Sequence, residues 1–269
     1  MEGNIVVVKH VEKEGPGLIE RFFRADGWNL KTIELARGEK LPETLEDTAA
    51  VIMLGGPMNV YEEKAYPFLK DEDNFIRRVL IEEIPYLGIC LGGQLLSKAC
   101  DSRVGKSPVK EVGWYTVELT KESRKDLLFT GLPRTFKVFQ WHEDAFEVPA
   151  GGLLLAQGKG CKNQAFKIGT NAYGLQFHIE VTEEMIESWL EDEAGQLDVG
   201  KILSDTKRLK EALELQAHDL FANFKRIIES SLRVKKVMKL FVEDEKKSRT
   251  KKTLLWWNMK EHAFVQGKA

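Results

Sequence analysis

The chain has 269 residues, 43% of them hydrophobic, enough to bury a sizeable core in one large domain or two small ones. A formal net charge of −2 gives no whole-chain signal for nucleic acid or an anionic membrane, and three cysteines without metal-ligand spacing argue against a disulfide framework or a zinc site. With no signal-peptide layout and no apolar run near the ~18–20 residues of a membrane span, the expected setting is a reducing cytoplasm.

Residues 5–8 form a β-branched run suited to a strand buried on both faces. After Gly15-Pro16-Gly17, the residues Leu18, Ile19, Phe22 and Phe23 recur at helical spacing. Residues 28–35 and 49–54 read as two further strands, the second ending at Gly55-Gly56-Pro57. Residues 68–83 read as a helix with Phe75, Ile76, Val79 and Leu80 on one face. Residues 85–89 then form a short buried strand that runs straight into Cys90 and a helix at Leu91–Ala99. Strands and helices alternating at this pace predict an α/β fold with an open, mainly parallel sheet flanked by helices.

Between Val104 and Leu175 the character changes. Short β-prone runs at 114–119, 135–140 and 152–156 are separated by Gly, Pro and charged residues, and are expected as antiparallel strands added to the parallel layer. Residues 174–177 return to a buried strand that delivers His178, and a helix is expected over 183–191. Residues 205–232 carry the strongest helical pattern, with Leu209, Leu213, Leu220, Phe221, Phe224, Ile227 and Ile228 in one stripe. Core packing is the plain reading of that stripe, and a homodimer face is the alternative. From Arg233 onward there are 11 Lys or Arg against 4 Asp or Glu. The expected organisation is therefore a main domain over 1–195, a helical extension packed on it over 196–232, and a basic, loosely ordered tail over 233–269.

The segment from Pro85 to Gln94 carries the chemistry. A buried strand ends, Cys90 occupies a sharp turn, and Gly92-Gly93 open the helix beyond. Such a turn holds a nucleophile in a sparsely allowed backbone conformation. The helix N-terminus stabilises an anion there, and the N–H groups just after the turn can donate to an oxyanion. The plain alternative is a small buried core cysteine, which is the better reading for Cys100 and Cys161.

This segment resembles the G-x-C-x-G-x-Q signature of class I (triad) glutamine amidotransferases. Phe177-His178-Ile179-Glu180 resembles the F-H-P-E motif, and Leu54-Gly55-Gly56-Pro57 resembles the G-G-P loop. The likeness runs over about residues 4–192, with Ile179 in place of the usual proline. It implies a flavodoxin-like amidotransferase fold carrying a C-terminal helix, a nucleophile at Cys90, a base at His178 and an orienting carboxylate at Glu180. It also implies an oxyanion hole from the N–H groups of Gly56 and Leu91, and no metal or organic cofactor. For the substrate it implies Gln94, the Gly113-Trp114 loop, and His142 and Asp144 of a loop resembling the S-H-G-D loop of GMP synthetase-type members. Trp114 and Trp141 are expected to pack more than to touch substrate.

The resemblance further implies glutamine as substrate and a separate synthetase subunit to receive the ammonia. No Gly-rich nucleotide loop or pyrophosphatase-type signature follows Glu193, which fits a free-standing glutaminase unit. A γ-glutamyl hydrolase or peptidase using the same triad is the main alternative, and a binding module without turnover is a third.

Overall fold

The computed structural model describes residues 3–191, 195 and 197–266, with side chains described through Phe241. Among these residues the chain forms a nine-stranded sheet and five α-helices. The first unit spans residues 1–228. It begins with β1 (Asn4–Lys9), α1 (Gly17–Ala25), β2 (Leu30–Glu34), β3 (Thr48–Met53), α2 (Phe68–Ile81), β4 (Tyr86–Ile89) and α3 (Leu91–Ala99). The added strands are β5 (Val104–Leu119), β6 (Thr135–Phe146), β7 (Leu153–Gly158) and β8 (Asn163–Ile168), followed by β9 (Ala172–Leu175), α4 (Glu183–Leu190) and α5 (Val199–Gln266).

The strand order is β2-β1-β3-β4-β9-β8-β7-β5-β6. The first five are parallel neighbours and the rest pair antiparallel, so the expected parallel layer with antiparallel additions is what forms. Physical reasons are visible along β1 and β3, whose residues Ile5–Val8 and Ala49–Met53 are buried without alternation because both sheet faces are covered. Val6, Val8, Val51 and Met53 pack with Phe75, Ile76 and Val79 of α2 and Leu91, Leu95 and Leu96 of α3. Ile5, Val7 and Ile52 point to the opposite face by strand alternation. That face is left to α1 and α5, whose Phe23 and Phe221 rings meet with centroids 6.4 Å apart.

The apolar stripe on α5 is core: Leu213, Leu220, Phe221, Phe224 and Ile228 are all buried, and Asn223 donates to the carbonyls of Leu128 and Thr130 at 3.0 and 2.7 Å. The sequence pattern ends this helix at Leu232, whereas the backbone stays helical through Gln266. Past the stripe, the chain is rich in Lys, Arg and Glu, which favour a helix without needing a buried face. The second unit is residues 229–269; its side chains at Lys246–Lys252 and Trp256-Trp257 lie outside the described residues. Among the described residues no helix is long and apolar enough to cross a membrane.

Close approach of β4, β3 and α3 builds the sharp turn. The Tyr86 hydroxyl donates to the Gly92 carbonyl at 2.8 Å, and a Cβ on Gly92 would collide with the Met53 carbonyl. Only glycine lets the helix start this close to the sheet.

Candidate active site

Cys90 joins β4 to α3 at φ +49°, ψ −105°, a conformation that L-residues rarely hold. Its N–H donates to Leu175 of β9 at 2.8 Å, which ties the turn to the neighbouring strand. Beyond Leu175 the chain continues past the end of β9, and the His178 N–H donates to Phe139 of β6 at 2.8 Å. The two anchors bring the ends of β4 and β9 beside the middle of β6. Gln176 and Glu180, two residues to either side of His178, reach the Cys90 sulfur and the His178 ring respectively.

His178 Nδ1 lies 2.7 Å from Glu180 Oε1, and the two side chains are 2% and 3% exposed. Burial opposes a charged imidazole here. The Glu180 carboxylate and contact with the Cys90 sulfur outweigh it and hold the ring's pKa well above the usual histidine value. With Nδ1–H given to Glu180, Nε2 is the atom free to exchange a proton with the thiol. The Cys90 sulfur also lies 3.8 Å from the Trp141 carbonyl and 3.8 Å from Gln176 Nε2.

The Gly55-Gly56 loop closes over this group. A Cβ on Gly55 would lie 3.0 Å from His178 Cε1, and one on Gly56 would lie 2.8 Å from the Leu91 side chain. Among the described residues the Gly56 N–H has no hydrogen-bond acceptor. Leu91 is the first residue of α3, so its N–H has no partner within the helix. Each therefore carries a backbone donor not spent on the fold, Leu91 in the residue next to Cys90 and Gly56 in the cavity lining.

Cys90, His178, Gln94, His142, Asp144 and Gly56 line one cavity of about 680 Å³, within the ~300–1,000 Å³ range of small-molecule sites. Gln94 reaches the Asp144 carbonyl at 3.0 Å and the Gln176 carboxamide at 3.4 Å. Asp144 accepts from the Tyr61 hydroxyl at 2.8 Å and pairs with Lys106 at 3.2 Å. His142 is held by the Asp144 carbonyl at 3.0 Å and by Glu111 at 3.1 Å. Gly113 and Trp114 are not in the lining. Trp114 packs edge-on against Phe139 and donates to Thr206 of α5 at 2.9 Å, while Gly113 faces Ile202. Conversely, Trp141, expected to pack, is part of the cavity wall and meets Trp189 edge-to-face.

Three residues that the sequence pattern did not single out belong to this site. Gln176 could have been found, since it precedes His178 by two positions. Glu14, from the loop after β1, lines the cavity; burial raises its pKa, opposed by His178 and His10. Trp189 stacks edge-on against His178, with centroids 5.1 Å apart. A buried cluster that shares His142 with the cavity wall brings Glu111, His142 and Cys161 ligand atoms within 4.8 Å of one another. Its polar atoms are held by the fold: Glu111 accepts from the Cys161 N–H at 3.2 Å and from Gln164 at 3.1 Å. Burial beside Glu111 pushes the Cys161 thiol up to about 11, which suits an inert buried cysteine.

Known proteins share the sequence and the fold of this chain. The family model for class I glutamine amidotransferases matches residues 18–194. A glutamine amidotransferase-like protein, YfeJ of Salmonella typhimurium, is 28% identical over 193 residues, covering 71% of this chain and 81% of that protein. One subunit of the GMP synthase (glutamine-hydrolyzing) of Sulfurisphaera tokodaii is 36% identical over 153 residues, covering 55% of this chain and 77% of its own length. The match to the GMP synthase of Thermosipho africanus, at 35% identity and 66% of this chain, spans only 33% of that longer protein. Among solved structures, a glutamine amidotransferase from Thermotoga maritima superposes with a TM-score of 0.78 at 35% identity, covering 85% of this chain and 99% of that one. The chain belongs to the class I glutamine amidotransferases.

Proposed function

We propose that this protein hydrolyses the side-chain amide of glutamine through a γ-glutamyl thioester on Cys90. The observation that carries the reading is that Cys90 and His178 line one cavity, with Glu180 2.7 Å from the imidazole and with Gly56, whose N–H has no acceptor among the described residues, in the same lining. His178 Nε2 takes the thiol proton, and the imidazolium is stabilised by Glu180. The thiolate attacks Cδ of glutamine, and the carbonyl oxygen becomes an oxyanion between the Gly56 and Leu91 N–H groups. Each such donor is typically worth roughly 3–4 kcal/mol in the transition state. The C–N bond then breaks as His178 returns its proton to the amine, and ammonia leaves. Water, deprotonated by His178, attacks the thioester, releasing glutamate and restoring the thiol.

Gln94 and Asp144 are the side chains placed to meet the amino-acid end of the substrate. His142, held from both ring nitrogens, supports Asp144 through its carbonyl. Trp114, away from the cavity, is assigned to packing. Ammonia is proposed to pass to a separate synthetase subunit; the likeness to one subunit of the Sulfurisphaera GMP synthase supports this reading.

One observation favours a second reading. The cavity, at about 680 Å³, has room for a leaving group larger than ammonia, so a γ-glutamyl peptide could occupy it with the same triad. The purified protein is assayed for glutamate release from glutamine and from γ-glutamyl dipeptides. Preference for glutamine supports the amidotransferase; preference for dipeptides makes it a γ-glutamyl hydrolase.

A further inference from the structure

Beneath the Gly55-Gly56 loop lies a buried pair that the proposed chemistry does not use. His10, at the end of β1, and Glu72, in α2, are both fully buried. His10 Nε2 is 2.7 Å from Glu72 Oε1, and His10 Nδ1 is 2.8 Å from the Gly55 carbonyl oxygen. A carbonyl oxygen accepts only, so Nδ1 carries a proton and donates to it. A carboxylate also accepts only, so beside an ionised Glu72 the second contact needs a proton as well, which makes the ring an imidazolium. Burial works against that charge, but Glu72, the Gly55 carbonyl and Glu14 outweigh it and raise the ring's pKa.

The Gly55 carbonyl and the Gly56 N–H belong to one peptide group. That group is trans, because the described residues contain no cis peptide, so its C=O and N–H point in opposite directions. With the oxygen held at His10, the N–H is turned away from His10. Gly56 lines the cavity, and its N–H has no acceptor among the described residues. Glycines at both positions leave the peptide free to rotate unless something holds it.

We infer that the Glu72–His10 pair is a positioning device that locks the Gly55–Gly56 peptide with its N–H facing the Cys90 sulfur. A charged donor on the carbonyl makes a stronger hydrogen bond than a neutral one and polarises the peptide N–H at its other end. The oxyanion hole is then assembled in the free chain, before any synthetase binds. This rests on the reading that Gly56 donates to the oxyanion formed at Cys90.

The test uses the full chain with three variants. His10→Leu removes the donor, but it leaves Glu72 buried without a partner and could unfold the protein. His10→Leu/Glu72→Leu replaces the whole pair with apolar groups, an exchange that cores tolerate. His10→Asn keeps a donor near Nδ1. Three readouts are taken: kcat and KM for glutamate release, the rate of Cys90 alkylation by iodoacetamide, and the crystal structure of the double variant. Alkylation needs the thiolate but no oxyanion hole.

The expected result is a kcat loss of about 10²-fold in the double variant, the lower end for one oxyanion donor. KM and the alkylation rate stay near wild type, and His10→Asn recovers most of the loss. Wild-type kcat in the double variant, or alkylation falling in step with kcat, overturns the inference. So does a Gly55–Gly56 peptide that keeps its orientation without His10, whatever the substrate. Wild-type protein that releases no glutamate from glutamine, with the peptide still turning over in the variant, overturns the glutamine reading alone.

Discussion

Gly92→Ala tests whether the catalytic turn depends on the close seating of α3 against the sheet. A Cβ at this position would overlap the Met53 carbonyl oxygen and lie 2.7 Å from the carbonyl carbon and 3.0 Å from Met53 Cβ. These are mainly backbone atoms of a buried central strand, so they cannot rotate aside. Ordinary contact between such atoms is ~3.5–4.0 Å, so α3 must retreat by about 1 Å. Overpacking of this kind costs about 1–3 kcal/mol, and the upper end applies where backbone meets backbone. Alanine's better helix propensity returns about 1 kcal/mol, leaving a net loss of about 2 kcal/mol. For a domain of this size that lowers Tm by roughly 4–8 °C. The same retreat moves the Leu91 N–H, and a misplacement of about 1 Å can cost ~10²-fold in rate. Gly15→Ala is the control, since nothing lies within 4 Å of its Cβ, and its expected change is within about 0.5 kcal/mol. Thermal unfolding and steady-state glutamate release on both variants decide the matter. A Gly92→Ala protein with the Tm and kcat of wild type would refute the packing argument.

Three other outcomes are expected. Glu180→Gln should keep the fold and lower kcat by about 10³-fold or more, because the His178 imidazole loses the group that fixes its tautomer; burial, which lowers the ring's pKa, then stands less opposed, and the limb of the rate–pH profile set by His178 should move to lower pH. Trp114→Phe should cost about 1 kcal/mol of stability through the lost bond to Thr206 and leave KM unchanged, because Trp114 lies off the cavity; a raised KM in steady-state kinetics would return it to the substrate site. His10, whose folded pKa is raised by Glu72 against burial, contributes stability that is fully present below its unfolded value near ~6.5 and is lost as pH rises through the folded value. Denaturant melts from pH 6 to 9 should therefore show wild type losing ground to His10→Leu/Glu72→Leu as pH rises, and a flat difference would contradict the raised pKa.

The parallel half of the fold was legible because its signals are local. Residues 5–8 and 49–54 are apolar without alternation, which only a strand covered on both faces needs, and Leu91–Ala99 begins at the glycines that seat it. The antiparallel half was harder to read. β8 (Asn163–Ile168) mixes Asn, Gln and Lys with three apolar residues, and β5 runs ten residues further back than its apolar core through mostly half-buried or exposed positions near the sheet edge. Pairing with neighbours, not composition, makes these strands. The same divide holds at the site. Cys90, His178 and Glu180 sit in short contiguous motifs, whereas His10 reaches Gly55 and Glu72 across 45 and 62 residues, a relation that no local pattern carries. Trp114 and Trp141, both expected to pack, part ways for a similar reason, since only Trp141 reaches the cavity wall. They lie on paired strands, and which indole meets α5 and which meets the cavity is decided by register and by the helix at residues 199–228.

Every step of the proposed chemistry depends on Cys90 carrying out acyl transfer on a γ-glutamyl substrate with His178 as its base. The decisive experiment is glutamate release by the purified protein from glutamine, beside glutathione and a panel of γ-glutamyl dipeptides, with Cys90→Ala run in parallel. The expected result is release that prefers glutamine and vanishes in the variant. Release that persists in Cys90→Ala, or a wild-type protein that leaves glutamine and every γ-glutamyl compound intact, would contradict it.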